Sequence, residues 1–437
     1  MKAIETKDIL KRYKQGELMT RPLQELIYKA NREKATLIIS KGEYLVSSLY
    51  IPSNSSIVFE EGSIVKGTSD ESQYEFIETR VAGINMMFYP AILNILDSSN
   101  IHISGKGEIR GAGPYFYSKY WGEDKKGGMR KKYDEQGLRW ACDYDCFRVR
   151  NLLIQNSHNV KIEDLKLTLS GFWNLHVLYS HDIVLSNINI DSFDENAPST
   201  DGIDIDSSHD VLIKGCSIST NDDCIAIKSG RDMDGIRTNI PTYNVEISKC
   251  NFCRGFGLTI GSEVSGGIKD INCHDLVFKG SECGFRIKSS PSRKGYIKNI
   301  NLHNIYMEDV KYIFHFYLNW SALYNKIEVP STYKGNVRSY WKTLLEEVPS
   351  SIPNTKVSDI TVDNVKCRLS PTYKDFSRLF SLIGYEDQKM SDLIFKNLDV
   401  VATEYGEMEN VENVSTENVN VEIVNPTLNN PKDFDNR

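Results

Sequence analysis

The pattern of apolar and polar positions changes after one helical segment near the N-terminus. Residues 21–31 have apolar side chains three and four positions apart, which predicts an amphipathic helix with Thr20 as N-cap and Pro22 in its first turn. Its apolar stripe comprises Leu23, Leu26, Ile27 and Ala30. From Thr36 onward, short β-branched runs such as Leu37–Ile39 alternate with Gly, Ser and Asn. This change predicts that the rest of the chain consists mainly of short strands.

A nine-residue pattern recurs through most of the chain. Each copy begins with Asn or Asp, has apolar residues at alternate positions, and usually has a polar residue or Gly in sixth place. Copies begin at Asn159, Asp182, Asp210, Asn244, Asp270, Asn299, Asp359, Asp392 and Asn413, with a shorter copy at Asn100. The clear copies are 21 to 34 residues apart, except for one interval of 60. Since the apolar period within a copy is two, the repeat predicts coils of a parallel β-helix and excludes a helical repeat.

The repeat predicts an all-β fold: one right-handed parallel β-helix domain over residues 1–437, with a cap region at 1–35. Asn and Asp in sixth place predict a stacked polar ladder at one corner of the coils. Two segments without alternation, 111–139 and 318–353, are predicted to be loop excursions from the solenoid. Both are rich in aromatic residues, and long loops on a regular scaffold often form binding surfaces.

Composition narrows the classes of function. The chain has 437 residues, 40% of them hydrophobic and 25% charged, which excludes wholesale disorder. A net charge of −7 argues against a nucleic-acid partner. No apolar stretch is long enough for a transmembrane helix, so no membrane partner is expected. The oligomeric state is left open.

The cysteines and the N-terminus bear on the compartment. Nine cysteines, an odd number in a long chain, do not indicate a disulfide framework, and we expect buried thiols. The N-terminus lacks the apolar stretch of a signal peptide. Both features predict a cytoplasmic protein; the alternative is a secreted or periplasmic protein from which a signal peptide was removed.

Four short polar segments are separated by about one coil each. Asp201 and Asp222 are 21 residues apart, Asp223 and Gly257 are 34 apart, and Gly257 and Arg286 are 29 apart. We therefore expect these segments to stack on one face of successive coils, about 4.8 Å apart. The stack would bring three carboxylates together with Arg286 and Lys288.

This combination suits glycoside hydrolysis. When carboxylates lie close together, the pKa of one rises, and that group can donate a proton while a second activates water on the opposite sugar face, the inverting arrangement. Arg286 and Lys288 are two positions apart on a strand and point to the same side, where they can hold a substrate carboxylate.

The four segments resemble the signature of glycoside hydrolase family 28, the polygalacturonase family. That signature reads Asn-Thr-Asp, Asp-Asp, Gly-His-Gly followed by Gly-Ser, and Arg-Ile-Lys. The corresponding segments here are Ser199–Asp201, Asp222–Asp223, Gly255–Gly257 with Gly261–Ser262, and Arg286–Lys288. The resemblance implies a β-helical hydrolase of galacturonate-containing pectic chains, with no metal and no cofactor.

The resemblance also implies roles for individual residues. Asp222 resembles the general acid, and Asp201 and Asp223 resemble the pair that positions and deprotonates water. Arg286 and Lys288 resemble the ligands of the substrate carboxylate.

One position departs from the family pattern. Phe256 stands where most polygalacturonases have His, so one sugar contact must differ, and a rhamnogalacturonan-type or modified pectic oligosaccharide becomes a candidate substrate. Four further residues are candidates for substrate binding. Lys228 and Arg231 come directly after the acid pair, and Trp173 and His176 lie one coil before Asp201.

Two other classes of function remain open at this point. A polysaccharide lyase also uses a parallel β-helix, but it needs a calcium-binding acidic cluster and a lone basic residue. A non-catalytic carbohydrate-binding solenoid is the other. Because the excursions flank the acid segments in sequence, we expect them to close one end of the groove and make the enzyme exo-acting.

Overall fold

The computed structural model describes residues 2–123 and 127–425. The chain forms a right-handed parallel β-helix, in which each strand pairs in parallel with strands of the coils before and after it. Within the described residues the coils build a 20-stranded sheet and an 11-stranded sheet, and an antiparallel hairpin joins Ile77–Val81 to Ile84–Phe88. The all-β solenoid predicted from the repeat is confirmed.

The 20-stranded sheet forms two sides of the solenoid. In the later coils one long strand bends around the corner and serves both sides. Its strands are Ala3–Glu5, Thr36–Ile39, Gly42–Val46, Ser56–Phe59, Ser63–Gly67, Ser99–Gly105, Glu108–Arg110, His158–Glu163, Lys166–Thr168, His181–Ser186, Asn189–Asp191, His209–Lys214, Ser217–Ser219, Thr242–Ser248, Asn251–Phe252, Ile268–Lys279, Tyr296–Glu308, Lys356–Arg368, Met390–Ala402 and Val411–Ile423.

The 11-stranded sheet forms the remaining side. Its strands are Leu49–Tyr50, Leu93–Leu96, Leu152–Gln155, Leu175–Leu178, Ile203–Asp206, Ile225–Lys228, Leu258–Ile260, Cys283–Lys288, Tyr312–Tyr317, Arg378–Ile383 and Glu404–Glu409. Inward-facing Ile, Leu, Val and Phe side chains from all sides fill one continuous core.

The repeated Asn and Asp have a conformational reason. All ten predicted repeat starts have positive φ, between 52° and 58°, and the seven Asn or Asp residues in sixth place have φ between 51° and 64°. Asn and Asp tolerate this left-handed region better than other residues with a side chain. The side chains also bond from coil to coil, as when Asn187 Nδ2 donates to Asp164 Oδ1 at 3.1 Å. The predicted polar ladder is therefore present at a corner of the solenoid.

The interval of 60 residues is one coil plus an excursion, because strand Tyr296–Glu308 pairs directly with Lys356–Arg368.

All nine cysteines lie within the described residues and are free thiols; eight are buried and Cys253 is exposed. Cys216 and Cys250, which share a repeat position, both lie in the core.

Helices lie at the N-terminus and in the excursions. The predicted N-terminal helix runs from Thr20 to Arg32. Thr20 is not its N-cap: it is the first helical residue, and its Oγ1 accepts a hydrogen bond from the Ser47 backbone at 2.8 Å. The other helices are Lys7–Arg12, Gly113–Trp121, Met129–Glu135, Cys142–Asp145, Asp232–Thr238, Ala322–Asn325 and Ser339–Leu344, with 3-10 turns at Glu71–Gln73 and Arg139–Ala141. Among the helices described, none is both long enough and apolar enough to span a membrane.

The two excursions have more secondary structure than the sequence indicated. The first excursion lies between strands Glu108–Arg110 and Leu152–Gln155, so its helical part extends to Asp145, beyond the predicted boundary at 139. Residues 124–126 of the predicted excursion lie outside the described residues. The second excursion lies between strands Tyr312–Tyr317 and Lys356–Arg368, and it contains two short helices.

Candidate active site

The structure brings the four polar segments together on the 11-stranded sheet. In register, Ile203 pairs with Ile225, Ile225 pairs with Leu258, and Leu258 pairs with Phe285. The polar residues lie just before or within these four strands, so the sheet holds them on neighbouring coils. The preceding strand, Leu175–Leu178, pairs with Ile203–Asp206 and adds His176.

Two glycines position Phe256. Gly255 and Gly257 have φ of +84° and +62°, which favours glycine over residues with a side chain. A Cβ at Gly255 would be 2.5 Å from the backbone oxygen of Asp222, and one at Gly257 would be 2.2 Å from that of Cys283. The Gly-Phe-Gly segment can therefore pass close to both neighbouring coils.

The three predicted catalytic carboxylates form one cluster. Asp201, Asp222 and Asp223 each place a carboxylate oxygen within 4.8 Å of the other two. Asp201 and Asp223 are buried, whereas Asp222 is partly exposed. Asp222 is thus the member of the cluster most open to a ligand.

Asp223 is held ionised by cations. Lys288 Nζ lies 2.7 Å from its Oδ2, Arg286 Nη2 bonds to its Oδ1, and Thr259 Oγ1 donates to Oδ1 at 2.7 Å. Burial alone would raise the pKa of Asp223, but the charges of Arg286 and Lys288 outweigh it and keep that pKa well below its usual range. The two cations predicted to bind the substrate carboxylate are therefore paired with Asp223 here.

Asp201 has a different partner. Lys228 Nζ lies 3.2 Å from Asp201 Oδ2 and 2.6 Å from Oδ1 of Asp204, a fully buried carboxylate. Sequence reasoning did not select Asp204, although its position three residues after Asp201 was a signal. Lys228, predicted as a uronate ligand, is thus a bridge between two acids.

The proton of the cluster belongs to Asp201 and Asp222 together. Burial, together with the charges of Asp201 and Asp223, raises the pKa of Asp222 to about 7 against the lowering charges of Lys288 and Arg286. Burial also raises the pKa of Asp201 to about 8, against the lowering charge of Lys228. Because each carboxylate disfavours ionisation of the other, the pair keeps a proton near neutral pH. Asp222 is the partly exposed member of the pair, so it is the one from which a ligand can take this proton.

An aromatic ring lies against each of the three cations. Lys228 Nζ is 3.9 Å from the ring centre of Trp173, and Lys288 Nζ is 4.6 Å from that of Trp320 in the second excursion. The Arg286 guanidinium lies 4.3 Å from the ring centre of Phe256. The ring that replaces the family His therefore contacts the guanidinium predicted to bind substrate.

His176, predicted to bind substrate, is not at the surface of the site. It is fully buried between the Trp173 ring, at 4.8 Å, and Arg150, whose Nη1 lies 2.8 Å from His176 Nδ1. Its Nε2 lies 3.8 Å from Asp206. Burial lowers the pKa of His176 to about 4. Trp173 is also nearly buried, and it contacts Lys228 with one face.

Arg231 is likewise enclosed. Its Nε donates to Asp232 at 2.9 Å and its Nη1 donates to the Tyr144 hydroxyl at 2.8 Å. The Tyr324 ring centre lies 4.5 Å from its guanidinium. Arg231 thus joins the two excursions to the coil that carries the acid pair, and its side chain is fully buried.

The cluster of three carboxylates has the oxygen donors that a divalent cation prefers. Lys228 contacts Asp201, however, and Arg286 and Lys288 contact Asp223, so the three cations balance the charge of these carboxylates. This balance favours a hydrogen-bonded acid cluster over a metal site.

The two excursions meet beside the site. Trp140 Nε1 donates to the Glu328 backbone oxygen at 2.9 Å, and the Trp140 ring packs edge-on against Trp341 at 5.2 Å. The hairpin at residues 77–88, which the sequence did not indicate, also contributes here, since the Gly83 backbone oxygen accepts from the Arg231 backbone at 2.9 Å.

Curated relatives include polygalacturonases from several kingdoms. The chain is 26% identical over 354 residues to a probable polygalacturonase from Vitis vinifera, a match that covers 78% of this chain and 68% of that protein. It is 27% identical over 288 residues to an exopolygalacturonase from Zea mays, covering 64% of this chain and 60% of that protein.

Solved structures show the same fold. An exopolygalacturonase from Thermotoga maritima matches with a TM-score of 0.73 and 22% identity, over 95% of this chain and 92% of that one. A polygalacturonase from Erwinia carotovora matches with a TM-score of 0.65 and 19% identity, over 96% of each chain.

The family resemblance indicated by the four segments is confirmed over most of the chain. The sequence model of glycosyl hydrolases family 28 matches residues 46–423, which include every segment of the site. Members of this family are glycosidases. The chain belongs to glycosyl hydrolases family 28.

Proposed function

We propose that this chain is an exo-acting hydrolase that releases galacturonate from the non-reducing end of pectic oligosaccharides, with inversion. The observation that carries the exo mode is the enclosure of the site: Asp201, Arg286 and Lys288 are exposed by only 4–6%. A groove open to a through-running polymer would leave these side chains more accessible. The exopolygalacturonases among its relatives, in maize and in Thermotoga maritima, support the same proposal.

In the proposed reaction, water attacks the anomeric carbon while the glycosidic bond breaks. Asp222 gives the shared proton to the departing glycosidic oxygen, because it is the partly exposed member of the pair. Asp201 takes a proton from the water, and ionised Asp223 accepts the other water hydrogen and orients it. The carboxylate oxygens are close enough for one water to contact both.

Inversion is supported by the state of the possible nucleophiles. Retention would require one carboxylate to attack the sugar, yet Asp223 is already bound by Arg286, Lys288 and Thr259, and Asp201 is bound by Lys228. Oxygens held by cations are weak nucleophiles. The carboxylate oxygens of the cluster lie within 4.8 Å of one another, closer than the roughly 6.5–9.5 Å between the carboxyls of typical inverting pairs. The experiment therefore measures the anomer of the product directly.

The terminal uronate would be held by Lys288 and Arg286. Both cations are on strand Cys283–Lys288, two strands along the sheet from the one that follows Asp223. Because both are paired with Asp223, substrate and Asp223 would share them. A planar guanidinium can bind two carboxylates at different edges.

Phe256 supports a substrate with an apolar feature beside the scissile bond. An aromatic ring can neither donate to a sugar hydroxyl nor titrate, and its surface suits a methyl group. A deoxy sugar, as in rhamnogalacturonan-type oligomers, or an esterified uronate has such a group. The alternative substrate is unmodified oligogalacturonate.

The test compares polygalacturonan, rhamnogalacturonan and short oligomers of each as substrates for the purified chain. We expect free galacturonate as the early product, a slow fall in polymer viscosity, and an inverted anomer by proton NMR. A rapid fall in viscosity with mixed oligomers would contradict exo-action. An unsaturated, ultraviolet-absorbing product would indicate a lyase, and binding without turnover would indicate a binding protein.

We further propose that the protein works in the cytoplasm, where it hydrolyses imported oligosaccharides. Nine free thiols support a reducing compartment. Fractionation of the producing cells with an antibody to the chain tests this; recovery in the periplasm or medium would contradict it.

A further inference from the structure

The buried carboxylate of Asp145 is bonded by both excursions. Asp145 ends helix Cys142–Asp145 of the first excursion, and its side chain is fully buried. From the second excursion, Tyr340 Oη and Trp341 Nε1 donate to its Oδ1 at 2.5 and 3.0 Å, and Arg338 Nε donates to its Oδ2 at 2.9 Å. The Tyr133 hydroxyl, from the first excursion, also donates to Oδ2.

The partners of Asp145 in the second excursion are far from it in the chain. Arg338, Tyr340 and Trp341 lie 193 to 196 residues beyond Asp145, in an excursion that leaves a different coil. A buried carboxylate requires this many donors to offset its lost hydration. Neither excursion supplies enough of them alone, so the bonds form only when both excursions are in place.

The joined excursions extend to the site. We name the segments 140–148 and 320–341 together the side wall. In the second segment, the Trp320 ring contacts Lys288, and the Tyr324 ring contacts Arg231. In the first, Tyr144 accepts a hydrogen bond from Arg231, and Arg148 Nη1 donates to the Pro198 backbone oxygen at 2.6 Å, three residues before Asp201.

We infer that Asp145 determines the mode of attack, because it holds the side wall beside the acid cluster so that a chain end is accepted and a continuing chain is excluded. This inference rests on the proposed exo function. Asp145 touches neither substrate nor the reacting atoms in this arrangement, so it is a positioning residue. It acts through Trp320 and through the loop that precedes Asp201.

The test replaces Asp145 and follows the products. Asp145→Asn keeps the shape and loses the charge, and Asp145→Ala removes the acceptor. The matched control is Asp134→Ala, an exposed acid of the same excursion that pairs with Arg130. Each variant is assayed on polygalacturonan or the preferred polymer, and on the matching trimer, with viscosity, chromatography and thermal unfolding.

We expect Asp145→Ala to release mixed oligomers from the polymer at early times. In this variant the side wall no longer orders the site. The kcat/KM of the variant on the trimer should therefore fall about tenfold or more, while the ratio of its activity on polymer to its activity on trimer rises. Asp145→Asn should be intermediate, and Asp134→Ala should match the parent chain.

Tyr340→Phe keeps the test valid if Asp145→Ala does not fold, because it removes one donor and leaves the ring. It should shift the product pattern in the same direction by a smaller amount. A folded Asp145→Ala or Tyr340→Phe variant with the parent's product pattern would overturn the inference while exo-action stands. Mixed oligomers from the parent chain itself would instead overturn the proposed function, and this inference with it.

Discussion

The Nζ atom of Lys288 lies 2.7 Å from Oδ2 of Asp223. The residue predicted as a substrate ligand is therefore also a ligand of a catalytic carboxylate. One cation serves two anions, which links substrate binding to the ionisation of Asp223.

Lys288→Ala should consequently impair both steps. Loss of a charge-assisted hydrogen bond is worth about 1.5–3 kcal/mol, or roughly 10- to 100-fold. We expect KM for uronate substrates to rise within that range and kcat to fall, because the pKa of Asp223 rises when its cation is removed. Steady-state kinetics check this, with exposed Lys298→Ala as control. A rise in KM alone would show that Lys288 serves the substrate only.

Asp222→Asn should abolish the proton transfer while leaving the site assembled. General acid catalysis contributes about 10²–10⁴-fold, so kcat should fall by at least that factor. Substrate affinity, measured by calorimetry on the inactive variant, should stay within about threefold of the parent KM. Asp191→Asn, an exposed acid one coil earlier, is the control. Residual turnover above one tenth would exclude Asp222 as the acid.

Activity should decline as pH rises above about 7. The pKa of Asp222 is raised to about 7, chiefly by burial and then by Asp201, so its proton is lost in this range. Asp223 stays ionised in acid because its pKa lies well below the usual value. In Asp201→Asn, the neighbouring charge is absent, and carbon NMR of labelled Asp222 should show titration at a lower pH. An unchanged midpoint would disprove the coupling of the pair.

His176 should make the fold sensitive to acid. Its pKa is lowered by burial from 6.5 to about 4, so the unfolded chain takes up this proton more readily than the folded one. Stability from this group is complete above pH 6.5 and is lost as pH falls towards 4, by about 3 kcal/mol in all. In His176→Gln, denaturant midpoints should fall less steeply over that window. Parallel curves for parent and variant would contradict this reasoning.

Phe256 should help to orient Arg286. A cation–π contact contributes about 0.5–1 kcal/mol at a partly exposed site, or roughly two- to fivefold. Phe256→Leu should raise KM by that factor, whereas Phe256→Tyr, which keeps the ring face, should not. Steady-state kinetics on the preferred oligomer distinguish the two. Equal KM values for both variants would show that the aromatic face of Phe256 does not help to orient Arg286.

Much of the fold could be predicted because the corners of the coils need unusual backbone. Asn and Asp at residues such as Asn159 and Asp164 mark left-handed turns, and the strands between them follow from alternation. Helix Lys7–Arg12 is too short for a periodic signal. The hairpin at residues 77–88 alternates like any coil strand, and only tertiary contacts make its strands pair antiparallel.

The site was predictable where it depends on coil spacing, and this covers Asp201, Asp222, Asp223, Arg286 and Lys288. Residues that act through side-chain contacts between distant segments gave no such signal. Asp145 looks like an ordinary polar residue in sequence, and its partners in the second excursion lie almost two hundred positions away. The burial of His176 could not be predicted, because a position on a coil does not reveal what covers it.

The order of the coils has a consequence for how the molecule unfolds. The strands that bear the site are the fourth to eighth of the eleven described in their sheet, and each exchanges ladder hydrogen bonds with its neighbours on either side. In such a linear array, fraying begins at the free ends and spreads one coil at a time. Several terminal coils can thus unfold and refold while the central coils stay folded and the acid cluster keeps its geometry.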